Sequence, residues 1–85
     1  MKLELETLKK IIADLDRLNC QFVAVHQLQH PDDHYLQVVL ARRRHDNTYI
    51  TWMHNSDCGG LFWGHYDMSL DEAKADFANR IPKGK

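Results

Sequence analysis

The stretch TYITWMHNSDCGGLFWGHYDMSLDEAKADFANRI, Thr48–Ile81, decides the fold. Two aromatic-rich runs flank a loop that ends in Gly59-Gly60, and a capped helix follows. Thr48 to His54 and Leu61 to Tyr66 are rich in β-branched and aromatic side chains, the composition of half-buried strands. Between them Asn55, Ser56, Asp57, Gly59 and Gly60 are turn formers, so the two runs make a hairpin. Ser69-Leu70-Asp71-Glu72 matches a capping box: the Ser69 hydroxyl accepts from the Glu72 amide, and the Glu72 carboxylate reaches back to the Ser69 amide. Leu70, Ala73, Phe77 and Ile81 then share one helical face. Pro82 ends the helix, because the residue before a proline is disfavoured in helical geometry.

Upstream, the same kind of reading gives a helix over residues 3 to 18. Leu5, Leu8, Ile11, Ile12, Leu15 and Leu18 recur at three-four spacing, opposite Lys9, Lys10, Asp14, Asp16 and Arg17. Asn19 is a natural stop, since asparagine tolerates the left-handed conformation. Residues 20 to 29 and 34 to 44 read as strands, separated by a His30-Pro31-Asp32-Asp33 turn. Residues 45 to 47 turn the chain into the Thr48 strand, and residues 83 to 85 read as a frayed tail.

The expected fold is therefore α+β. A four-stranded antiparallel meander is flanked by an N-terminal and a C-terminal helix, because short connections favour antiparallel neighbours. The 85 residues form a single domain, 1–85, in which about 60–65% of the unfolded chain's surface is buried. The expected core is Leu8, Ile11, Leu15, Leu18, Phe22, Val38, Leu40, Ile50, Trp52, Trp63, Leu70, Phe77 and Ile81.

Composition narrows the function classes. An apolar fraction of 44% suits a folded globule. Eleven basic and twelve acidic residues give a net charge of −1, which offers no bulk attraction to nucleic acid. Six histidines make the charge sensitive to mild acid. No apolar run reaches membrane-spanning length. MKLELETLKK has no apolar signal-peptide segment, so a cytoplasmic location is expected. Cys20 and Cys58 are then expected as free thiols, Cys20 buried at a helix–strand junction and Cys58 exposed in a polar turn.

Four kinds of chemistry are candidates. His54, Cys58 and His65 lie on one hairpin and His26, His30 and His34 flank another, but neither set has the tight paired spacing of a zinc site. Cys58 beside His54 or His65 has the elements of a thiolate–imidazolium pair, with no third residue to orient it. Arg42-Arg43-Arg44-His45, near Tyr35, Tyr49, Trp52 and Trp63, could serve phosphate contact and base stacking. The fourth is protein binding. Strict alternation puts Ile50 and Trp52 on one face and Tyr49, Thr51 and Met53 on the other. It likewise sets Leu61 and Trp63 against Phe62, Gly64 and Tyr66. Unless each helix covers one face, rings remain for a partner.

The TW of 51–52, GG of 59–60, GHY of 64–66 and EAKADF of 72–77 resemble a block found in small, uncharacterised bacterial proteins carried on phages, plasmids or integrative elements. The likeness covers residues 48–81. It implies an accessory protein of a mobile element that binds a host protein, host defence nucleases included. The expectation is a non-catalytic protein-binding module with no cofactor or metal. It contacts a host protein or a second copy of itself, as a homodimer, through Tyr49, Phe62 and Tyr66, with Arg42 and Arg44 at the margin. An RNA/DNA-binding domain and a histidine/cysteine metal-binding protein are the alternatives.

Overall fold

The computed structural model describes residues 3–82; the expected frayed tail at 83 to 85 lies outside them. The chain is α+β: helix α1 (Leu5–Arg17), strands β1 (Cys20–Gln27), β2 (Leu36–Arg43), β3 (Thr48–Asn55) and β4 (Leu61–Met68), and helix α2 (Leu70–Arg80). The strands form one antiparallel meander in the order β1-β2-β3-β4. No helix among the described residues is long and apolar enough to cross a membrane.

Local chemistry sets the boundaries. Asn19 adopts φ +58° and turns the chain from α1 into β1. His30 and His34 belong to the turn after β1: the His30 ring accepts from the Asp32 amide and the His34 ring donates to the Pro31 carbonyl. That turn, which includes a 3-10 segment at Pro31–Asp33, delays β2 to Leu36. Asp46 closes the β2–β3 turn by accepting from the Thr48 amide and hydroxyl. In the β3–β4 loop the Asn55 side chain accepts from the Asp57 and Cys58 amides, and Gly59 and Gly60 take positive φ. The Ser69/Glu72 capping box is complete, with both reciprocal hydrogen bonds formed.

The two helices cover opposite faces of the sheet. Ile11 and Leu15 of α1 pack with Cys20, Val39, Ala41, Ile50 and Trp52. On the other face Leu28, Val38 and Met53 pack with Phe62 of β4 and Phe77 and Ile81 of the α2 end. The central strands are therefore buried on both sides. Residues 37 to 41 of β2 and 50 to 54 of β3 are buried without alternation, as in any sheet covered on both faces.

Three residues of the expected core are exposed. Leu18 lies past the last turn of α1, beyond the edge of the contact. Leu70 is the first residue of α2, where only Ala73 is fully buried. Trp63 is 75% exposed, and its displacement comes from the backbone of β4.

Candidate functional site

Strand β4 lies at an edge of the sheet and carries two bulges. Phe62 pairs with Met53, His65 with Thr51 and Met68 with Tyr49, so three residues of β4 twice span two of β3. Trp63 and Asp67 are the extra residues, and both take left-handed φ, +55° and +61°. A single inserted residue reverses the sidedness of everything after it. Phe62 consequently faces α2, whereas Tyr66 faces the α1 side, where its hydroxyl meets the Trp52 indole nitrogen at 3.1 Å.

The five expected contact residues are thus not one surface. Tyr49 and Phe62 are half-buried on the α2 side, and Tyr66 is 51% exposed on the other. Arg42 is tied to Gln21 at 2.8 and 3.0 Å and to Asn47. Arg44 reaches Asp16 of α1 at 3.5 Å. Arg43 pairs with Asp46 at 2.9 Å and with Asp67. All three guanidiniums of the basic knot are engaged within the chain, each beside a carboxylate or amide oxygen.

What β4 does present is Trp63, a residue sequence reasoning placed in the core. The Phe62 ring sits against its indole edge-on at 5.2 Å. Arg80 of α2 donates to the Trp63 carbonyl and so holds the bulge from behind. Arg80 also donates to the Thr51 hydroxyl at 3.0 Å and to Asp76 at 3.2 Å, and the His65 ring lies 2.8 Å from the same carboxylate. Burial alone would raise the Asp76 carboxyl, but hydrogen bonds from Thr51, His65 and Arg80 outweigh it and hold it below the usual range.

The second feature is a polar row across the α1 face. Gln27, Gln37 and His54 stand directly opposite one another on β1, β2 and β3, and all three are buried. Gln27 Nε2 lies 2.9, 2.8 and 3.2 Å from the carbonyls of Leu28, His34 and Leu36. Gln37 Nε2 donates to Gln27 Oε1 at 3.0 Å, and His54 Nδ1 lies 2.7 Å from Gln37 Oε1. His54 Nε2 is buried with no hydrogen-bond partner, a condition that costs about 1–3 kcal/mol. Asp14 of α1 stands 3.9 Å from it. Burial lowers the His54 pKa and Lys10 lowers it further, while Asp14 opposes them. Beside this histidine a cavity of about 460 Å³ opens between α1 and the β3–β4 loop.

Of the metal and thiol candidates, His65 stands apart, bonded to Asp76 on the α2 side. His54 is buried on the α1 side and Cys58 is exposed in the loop, and both line the cavity beside α1. Among the described residues no group of three or more His, Cys, Asp or Glu is placed to hold a metal ion. Both cysteines are free, Cys20 buried as expected, and burial pushes its thiol pKa up.

These features define a small three-layer α+β domain with an exposed indole at one sheet edge. Comparison with family models, with curated proteins and with solved structures returns no match.

Proposed function

We propose that this chain is a small non-catalytic protein-binding module that docks through the β4 edge, with Trp63 as its anchor and half-exposed Tyr66 further along the strand. One observation carries the reading. The largest apolar side chain of β4 is held 75% exposed on a left-handed residue, a conformation costly for a bulky side chain. Tryptophan is the residue most enriched among interface anchors.

The occupant is a partner protein with an apolar pocket of indole size. A symmetric dimer would need a matching pocket on this chain. The cavity beside His54 sets the charged Lys10, Asp14 and Arg17 beside Leu18 and Leu61, and three charged side chains suit an indole poorly. The likeness of 48–81 to proteins of mobile elements favours a bacterial host protein as that partner, and a defence nuclease is the first to try. The arginine tract, already paired within the chain, favours protein over nucleic acid.

The test is capture by the purified protein, compared with Trp63→Ser and Tyr66→Ala. The wild type should retain one species that Trp63→Ser loses and Tyr66→Ala weakens, while sedimentation of the protein alone shows a monomer. Identical capture by all three proteins would remove the reading. A dimer abolished by Trp63→Ser would replace the heterologous partner with a second copy.

A further inference from the structure

The sheet has a second edge, β1, at the far end of the strand order from Trp63. Its backbone is open. The Leu28 N–H bonds the Leu36 carbonyl, so by alternation His26 and Ala24 also face β2. The N–H and C=O of Val25 then point away from the sheet, and among the described residues no strand lies beyond them. From Cys20 to Gln27 the strand carries no proline, lysine, arginine or carboxylate, the usual guards of an edge. One guard is present. Val23 is an extra residue between Phe22 and Ala24, a bulge that bends the strand.

Helix α1 gives this edge apolar cover on one side. Lys10, Asp14 and Arg17 turn toward the β3–β4 loop, and Ile11 and Leu15 turn down onto the sheet. Leu5, Leu8 and Ile12, three and four residues apart, form the opposite flank, the one toward β1. Leu5 is 64% exposed, Ile12 is exposed, and Val23 of the strand is 41% exposed. On the other face α2 lies over β2, β3 and β4. A fifth strand beside β1 would therefore meet apolar side chains on one face and water on the other.

We infer that the β1 edge receives an extended segment of a partner protein, added as a fifth strand, with apolar side chains at alternate positions and polar ones between. The backbone of Val25 pairs with the segment. The apolar residues of the segment pack against Leu5, Leu8 and Ile12, and its polar residues face water. A second copy of this chain fits less well: two β1 strands would set two bends at Val23 against each other, whereas a flexible segment follows one. This surface lies across the sheet from the Trp63 edge and does not rest on it.

The test uses two capped synthetic peptides of one composition, KVTVTVK, which alternates, and KVVTTVK, which does not, on the full nitrogen-15-labelled chain. In the free protein the Val25 amide should exchange its hydrogen freely. KVTVTVK should shift the Val25 amide and the Leu5 and Ile12 methyls saturably and slow that exchange about tenfold or more. KVVTTVK should bind about fivefold or more weakly, because a threonine replaces the central apolar contact. Leu5→Ser, at a residue mostly in solvent, should weaken KVTVTVK about fivefold, and Trp63→Ser should bind it as the wild type does. Equal affinity for the two peptides, or no shift at Val25 with either, would overturn the inference. So would a Val25 amide already protected in the free protein; protection that rises with protein concentration would put a second copy on the edge instead. Loss of partner capture with Trp63→Ser bears only on β4, so the two readings fail separately.

Discussion

The indole nitrogen of Trp52 donates to the Tyr66 hydroxyl across 3.1 Å, and the two rings stand nearly perpendicular, their centroids 5.9 Å apart. The contact runs through the space where Gly64 has no side chain. A Cβ there would lie 2.6 Å from two atoms of the Tyr66 ring and hydroxyl and 2.7 Å from the Trp52 nitrogen. Trp52 is buried and cannot yield, whereas half-exposed Tyr66 can swing outward. Gly64→Ala should therefore destabilise the domain by about 1–3 kcal/mol. In a Tyr66→Ala background the same change should cost less, because the obstructing ring is gone. Urea unfolding of the four proteins, followed by tryptophan fluorescence, measures both.

Asp76 gives an acid-side prediction. Its carboxyl pKa is depressed, so its hydrogen bonds stabilise the fold above the ordinary carboxylate value, 3.8, and are lost as pH falls below it. At pH 7 Asp76→Ala should cost about 1.5–3 kcal/mol, since it removes a charged acceptor from Thr51, His65 and Arg80. The stability curves of variant and wild type should converge toward acid pH. Curves that stay parallel down to the acid limit would show that the charge on Asp76 contributes nothing.

The fate of particular residues shows what was legible. Ser69, Glu72, Asn19, Pro82 and the loop glycines act through neighbours within a few positions, so their roles can be read along the chain. Strand order followed from short connections. The sidedness of Tyr66 did not, because it turns on the bulge at Trp63, the first of two in β4, which Arg80 braces from outside the strand. Gly64 alone hinted at the first of them. The buried row was hidden for a different reason. Gln27, Gln37 and His54 look like strand-end polar residues until register sets them in line on the face that α1 covers. The exposed indole had the same origin: a period-two reading assigns Trp63 to the core face, and one extra residue takes it out.

His54 makes the opposite pH prediction from an ordinary surface histidine. Burial depresses its pKa, with Lys10 adding to the effect and Asp14 opposing it from the same wall. Below about the ordinary histidine value, 6.5, the unfolded chain takes up a proton that the folded one refuses, so stability falls as pH falls toward the folded pKa. The slope for one proton reaches about 1.4 kcal/mol per pH unit. His54→Gln should remove that slope, seen as a shrinking stability difference from wild type between pH 7 and pH 5. The other histidines are common to both proteins and cancel in the comparison.

Trp63 offers the sharpest separation of stability from function. Its φ of +55° suits glycine, and a bulky residue there carries about 1–2 kcal/mol of backbone strain. Its ring is mostly in solvent and returns little packing. Trp63→Gly should hold the stability of the wild type or raise it by up to about 1 kcal/mol, the strain relief offset in part by glycine's greater unfolded-state entropy. The same variant should lose the partner that the β4 edge captures. A protein that carries an indole where glycine would fold at least as well is keeping it for something outside itself. If Trp63→Gly instead unfolds the domain at room temperature, the ring is a structural member of the β4–α2 contact, and the docking role loses its foundation.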